Sequence, residues 1–175
     1  MIIFYFIGKY IGAPFNEDDD SCEYEESDIC FYAGSMVRTD KGNKAIEEID
    51  VNKDRINGEE IKICTKIKSI EDEIIVMKKG CLGRGVPNQE TRITKQHKIY
   101  NEGKWEEAQI LEKSIEGMSR EKYDGSYVYN IGLKEHGKME VNGMIVETLN
   151  PLSKISKRLI LRKKEREIGK MIGIN

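Results

Sequence analysis

The chain has 175 residues, of which 38% are hydrophobic and 34% are charged, so it suits one domain of modest size with a highly charged surface. Its formal net charge of −2 excludes a strong overall attraction to nucleic acid. The charge is nevertheless uneven, because an acidic stretch precedes Cys30 and the C-terminal stretch is basic. These two ends could attract each other, within one chain or between chains.

The opening stretch, MIIFYFIGKYIG, predicts a buried or half-buried strand. A membrane span needs about 20 apolar residues, and Lys9 interrupts this run early. No basic stretch precedes it, as a secretory signal would require. We therefore expect an intracellular protein with reduced thiols and no membrane span, in which each cysteine is by default a small buried apolar residue. The cysteines are Cys22, Cys30, Cys64 and Cys81.

Short strand-like runs alternate with turn signals through the middle of the chain. SMVRT precedes the tight-turn sequence DKGN, and IKICTKIKSI has the period-two alternation of a half-buried strand. DEIIVMKKG, ETRIT, HKIYNEGKW, GSYVYNIGL and KMEVNGMIVETL follow, with Asn142-Gly143 as a hairpin signal in the last. The stretch SKISKRLILRKKEREIGKMI, with Ser153 as a candidate N-cap, predicts one long helix. The pattern therefore predicts an all-β domain with a C-terminal helix.

The ligands for a zinc site are scattered along the chain. No C-x-x-C pair occurs, and the two histidines, His97 and His136, lie far apart in the sequence. We therefore predict neither a metal nor a cofactor. TKQH, however, places Thr94 and His97 three residues apart after the strand ETRIT. Because the ends of a four-residue turn lie within about 7 Å, this hydroxyl and this imidazole can converge on one point.

The segment from Cys30 to about Leu149 resembles the Hint (hedgehog/intein) family of self-processing β domains. The resemblance rests on CFYAGSMVRTDKGNKAIEEI, KKGCLGRGVPN, TKQHKIY with the nearby GKWEEA, and YNIGLKEHGKMEVNGMIVETL, in this order. It implies a compact, horseshoe-like all-β fold for residues 30–150. Residues 1–29 would then form a leader and residues 151–175 a basic helical tail.

The resemblance also implies a chemistry. In the family, the thiol of the first domain residue attacks the preceding carbonyl, and this N-to-S acyl shift gives a thioester. Transferred to this sequence, Cys30 attacks Ile29, His97 handles the proton at the scissile nitrogen, and Thr94 hydrogen-bonds near the scissile bond. His136, within KEHGK, lies near the place where some members keep a catalytic histidine, and a plain surface residue is the alternative.

The end of the domain departs from splicing inteins, which finish with His-Asn. The corresponding place reads Glu147-Thr148, and Leu149 precedes the nearby Asn150, so we predict a non-splicing branch ending in VET, without asparagine cyclisation. Two functions stay open. The first is autoproteolysis, with residues 1–29 as substrate and a small thiol, water or another nucleophile as acceptor. The second is a slow or inactive Hint fold that acts as a structural module and contacts a protein partner through its basic tail.

Overall fold

The computed structural model describes residues 29–69 and 71–172, so the predicted leader lies outside the described residues except for Ile29. The described residues form strands joined by short turns, together with two α-helices. The strands are β1 (Phe31–Tyr32), β2 (Met36–Thr39), β3 (Gly42–Ala45), β4 (Arg55–Ile56), β5 (Glu59–Lys68), β6 (Glu73–Met77), β7 (Thr91–Ile93), β8 (Lys98–Asn101), β9 (Lys104–Glu107), β10 (Met118–Lys122), β11 (Tyr127–Leu133), β12 (Lys138–Val141) and β13 (Met144–Glu147). The helices are α1 (Ala108–Leu111) and α2 (Lys154–Met171).

The described strands form two antiparallel sheets. The first has the order β10-β6-β7-β1-β11-β5-β4, and the second has the order β3-β2-β12-β13-β8-β9. In the first sheet β1 lies between β7 and β11, because Phe31 pairs with Ile93 on one side and with Tyr129 on the other. Cys30, the residue before β1, is therefore positioned between β7 and β11. The mainly β architecture predicted from the sequence is confirmed.

Side-chain patterns explain which strands are central. In β5 the residues Ile61 and Thr65 are buried while Lys62 and Lys66 are exposed, as expected for a strand with one solvated face. β11 is instead buried along nearly its whole length, and its sequence YVYNIGL is almost entirely apolar. Fully burying such side chains contributes about 1.5–3 kcal/mol each. Asn130 is the amide within this buried strand, and it therefore needs a hydrogen-bond partner.

The β12–β13 hairpin brings the end of the domain back toward its start. Val141 pairs with Met144, and the two turn residues Asn142 and Gly143 have φ values of 51° and 82°, as a type I′ turn requires. This confirms the hairpin predicted from the Asn-Gly pair. β13 then pairs with β8 and delivers Glu147 beside the residues that precede β8.

The chain leaves the sheets next to β11 and enters α2. Leu149 N–H donates to the Ile131 carbonyl at 2.8 Å. Ser153 caps the helix, because its side chain accepts a hydrogen bond from Ser156 N–H at 3.1 Å. A search of the described helices finds none that is both long enough and apolar enough to cross a membrane.

Candidate active site

Cys30 is the residue before β1, and it is completely buried. The pairing of β1 with β7 continues to Thr94, whose N–H donates to the Cys30 carbonyl at 3.0 Å. The Cys30 N–H in turn donates to Thr94 Oγ1 at 2.7 Å. Thr94 therefore binds both polar backbone groups of Cys30, one with its main chain and one with its hydroxyl.

The carbonyl that precedes Cys30 contacts β11. Asn130 Nδ2 donates a hydrogen bond to the Ile29 carbonyl oxygen. The other end of this amide, Oδ1, accepts a hydrogen bond from Ile131 N–H at 2.7 Å. Of the two ends of the Asn130 amide, only the oxygen can accept a hydrogen bond from a backbone N–H. This bond therefore fixes which end of the side chain is the oxygen and which is the NH₂ group. The Asn130 NH₂ group is therefore aimed at Ile29.

His97 is buried within the same group of residues. Its backbone N–H donates to the Thr94 carbonyl at 3.3 Å. Its ring packs on Phe31, with ring centroids 4.4 Å apart. Nε2 lies 3.2 Å from the Glu147 carbonyl oxygen, and a carbonyl can only accept, so Nε2 carries the proton. Nδ1 is then the unprotonated nitrogen, and it has no hydrogen-bond partner among the described residues.

Burial keeps the His97 imidazole neutral. It lowers the pKa of His97 from 6.5 to about 4, because the imidazolium would lose its hydration inside the protein. Contacts with the backbones of Glu147 and Cys30 raise the pKa by a smaller amount. At pH 7 the ring is therefore an uncharged base, held against the backbone of Cys30, that can accept a proton at Nδ1.

His136 does not join this cluster. Its side chain is 45% exposed, and its Nε2 lies 3.7 Å from the Glu147 carboxylate. Glu147 thus contacts both histidines, His97 through its carbonyl and His136 through its carboxylate. His136 has no contact with Cys30 or Thr94 among those that the described residues form.

The other described cysteines, Cys64 and Cys81, are half-buried free thiols. None of the three described cysteines forms a disulfide, and Cys22 lies outside the described residues. Burial raises the pKa of Cys64 to about 11 and also raises the pKa of Cys81, so neither is a thiolate at pH 7. Within residues 29–69 and 71–172, no group of three or more His, Cys, Asp or Glu side chains is placed to hold a metal ion.

Asn130 is the candidate that sequence reasoning misses. The available signal is an amide inside the apolar run YVYNIGL, since a buried polar side chain must find a partner. Nothing in that run indicates that the partner is the Ile29 carbonyl, 101 residues earlier in the chain. That partnership depends on the pairing of β1 with β11, which is a property of the folded sheet.

Two solved structures share this architecture. An intein-like domain from Clostridium thermocellum is 19% identical, with a TM-score of 0.54, over 68% of this chain and 98% of that domain. A DnaB intein from a Synechocystis species is 11% identical, with a TM-score of 0.51, over 69% of this chain and 99% of that intein. No protein-family model and no curated protein sequence matches the chain. The structural likenesses show that the chain has the Hint-type fold of intein domains.

Proposed function

We propose that this chain is a non-splicing, self-processing member of the Hint family that forms a thioester at Ile29–Cys30. Cys30 Sγ forms a bond to the Ile29 carbonyl carbon, and the C–N bond between the two residues breaks. The thiol proton passes to His97 Nδ1 and then to the departing α-amino nitrogen of Cys30. A small thiol, water or another nucleophile then takes the acyl group from sulfur and releases residues 1–29.

The observation that carries this proposal is that side chains bind both polar atoms of one peptide bond. Asn130 donates to the Ile29 carbonyl oxygen, and Thr94 Oγ1 accepts from the Cys30 N–H at 2.7 Å. In the middle of a sheet such groups normally bond to the backbones of neighbouring strands. An amide donor at the carbonyl oxygen stabilises the negative charge that develops there during attack. One such donor contributes about 2.7–4 kcal/mol to catalysis in other enzymes.

The state of His97 supports a proton-transfer role. Its neutral ring offers a bare Nδ1 that can accept the thiol proton. Because burial lowers the pKa of His97 to about 4, the imidazolium formed in this way readily gives its proton to the leaving amine. Assistance of this kind typically accelerates a reaction by about 10²–10⁴-fold.

We also propose that no asparagine cyclisation follows at the C-terminal end of the domain. Asn150, the asparagine nearest that end, takes part in the turn that starts α2. Its Oδ1 accepts from Leu152 N–H at 2.8 Å, and its carbonyl accepts from Ser153 N–H at 3.0 Å and from Ser156 Oγ at 2.7 Å. Cyclisation requires attack of the Asn150 side-chain nitrogen on that carbonyl carbon, so it would disrupt the start of the helix.

A structural or interaction module is the second candidate function, and burial favours it. Cys30 and His97 are completely inaccessible to solvent, so an external acceptor reaches the thioester only when the site opens. The β-branched side chain of Ile29 also crowds the carbonyl that the thiol must attack. A module of this kind would keep the fold and the hydrogen bonds around Cys30 without turnover.

Release of the leader in excess thiol distinguishes the two functions. Processing predicts a fragment Met1–Ile29 that disappears in Cys30→Ala, because alanine provides no nucleophile. His97→Ala should slow its release by about 10²–10⁴-fold, and Thr94→Ala should slow it less. Cys64→Ala is the matched control and should release the fragment normally. A folded chain that stays uncleaved supports the module, whereas release that survives Cys30→Ala points to a contaminating protease and contradicts the mechanism.

A further inference from the structure

The leader and helix α2 begin side by side on β11. Asn130 binds the Ile29 carbonyl, and the next residue of the strand, Ile131, accepts a hydrogen bond from Leu149 N–H at 2.8 Å. α2 then begins at Lys154. The chain that enters the domain and the chain that leaves it therefore pass the same point of the sheet. A segment that precedes Ile29 can consequently reach α2 without crossing the domain.

One face of α2 is exposed and is both apolar and basic. Leu161, Ile168 and Met171 are 58%, 57% and 86% exposed, whereas Ser156 is fully buried. At 3.6 residues per turn the exposed positions fall on one side of the helix, which we name the outer face of α2. Its described members are Lys157, Leu161, Lys164, Glu165, Ile168, Met171 and Ile172.

No described residue neutralises the cations of this outer face. Neither Lys157 nor Lys164 forms an ion pair with any residue in the described part of the chain. Large apolar side chains grouped on one exposed face, beside such lysines, indicate a binding surface for an occupant that is itself apolar and acidic. Glu165 is the acid among the described members of the face, and it leaves the surface basic overall.

The leader has both properties, in a matching order. The stretch nearest to Ile29 is acidic, and the stretch before it, MIIFYFIGKYIGAPF, is apolar. On the outer face of α2, Lys157 lies in the first turn and Lys164 just past the middle of the helix, whereas Ile168, Met171 and Ile172 lie at its end. The acids of the leader are Glu17, Asp18, Asp19, Asp20, Glu23, Glu25, Glu26 and Asp28.

The length of the leader is sufficient for this contact. The 18 residues of α2 span about 27 Å at 1.5 Å per residue. The acidic stretch, residues 17–28, can span up to about 40 Å when extended. Because the leader is joined to the domain at Ile29, the contact is intramolecular, with an effective concentration on the order of mM.

We propose that the leader docks on the outer face of α2. Its acidic stretch lies against Lys157 and Lys164, and its apolar stretch lies against Ile168 and Met171 at the end of the helix. The docking uses charge and apolar contacts that are independent of the Ile29–Cys30 bond chemistry. It is therefore expected in the uncleaved chain whether or not that chain is able to process itself.

A spin label on the leader tests the docking directly. The variant Cys30→Ala/Cys64→Ala/Cys81→Ala keeps the chain uncleaved and leaves Cys22, within the leader, as the attachment site for a nitroxide. Its amide spectrum is first compared with that of the unsubstituted chain to verify the fold. The measurement is the paramagnetic broadening of the amide signals of residues 161–172. These residues are chosen because the covalent link at Ile29 keeps the label near the start of α2 even without docking. Docking predicts broadening that weakens at about 1 M salt, where the Debye length is about 3 Å and the charge contacts are screened while the apolar contacts remain.

Charge reversal provides the matched comparison. Lys157→Glu with Lys164→Glu should weaken docking by about 2- to 30-fold, as expected for the loss of two exposed ion pairs. Lys78→Glu with Lys113→Glu, at exposed positions outside α2, should leave the broadening unchanged. Equal broadening in the two double variants would overturn the proposal.

Two further measurements identify any other occupant. Mixing isotope-labelled chains without nitroxide and unlabelled chains with nitroxide should give no broadening, and broadening in this mixture would assign the face to a second copy and overturn the proposal. Vesicles of phosphatidylserine and phosphatidylcholine should leave the signals of residues 161–172 unchanged. Signals that respond to vesicles but not to the nitroxide would assign the face to a membrane surface and would likewise overturn it.

Discussion

Removal of the buried His97 imidazole should change how the stability of the protein depends on pH. Burial lowers the pKa of His97 from 6.5 to about 4, so below pH 6.5 the unfolded chain binds a proton that the folded chain does not. The free energy of unfolding therefore falls as the pH decreases from 6.5 toward 4. These two pKa values correspond to a loss of about 2 kcal/mol at pH 5 and about 3 kcal/mol at pH 4, relative to pH 7.

Urea unfolding of a Cys30→Ala chain, which stays intact, measures this loss at pH 7, 5 and 4. Adding His97→Gln should make the decrease in stability between pH 7 and pH 4 about 3 kcal/mol smaller, because every other titrating group is common to both proteins. A decrease that is the same with and without His97 would refute the conclusion that this ring is buried and neutral.

Three further outcomes follow from the site. Asn130→Ala should slow thiol-induced leader release by about 10²–10³-fold, because one donor to the developing oxyanion is lost. Single-turnover rates measure this effect, and an unchanged rate would show that Asn130 has only a structural role. Cys64→Ser and Cys81→Ser should each leave the release rate unchanged in the same assay, and a large loss in either folded variant would show that the nucleophile is misassigned. Peptide mass spectra should contain no product that ends at Asn150, whereas a C-terminal succinimide there would establish asparagine cyclisation.

The strands could be predicted because their signals are local. The alternation in IKICTKIKSI corresponds to β5, in which Ile61 and Thr65 are buried and the lysines between and beside them are exposed. The Asn142-Gly143 pair likewise encodes its own turn, since both residues adopt the positive φ values that a type I′ turn needs. Thr94 and His97 are also a local pair, and a backbone hydrogen bond of 3.3 Å closes the turn between them.

The contacts between strands that are distant in the sequence could not be predicted from local sequence patterns in the same way. The bond from Asn130 to the Ile29 carbonyl depends on the register of β1 against β11, and no short pattern encodes a register between segments so far apart. The lowered pKa of His97 has the same origin. It requires burial of the ring, which packs on Phe31 from β1, and that neighbour is not apparent from TKQH alone.

Trapping of the acyl group with a small thiol is the most direct test of the central claim, that Cys30 forms a thioester with Ile29. The purified chain is incubated with excess 2-mercaptoethanesulfonate, and intact masses are recorded over time. The proposed chemistry predicts a Met1–Ile29 fragment that carries the thiol as a C-terminal thioester, together with a second fragment that begins at Cys30. A folded chain that stays uncleaved in excess thiol, or a Met1–Ile29 fragment that carries only a free carboxylate and still forms in Cys30→Ala, would contradict it.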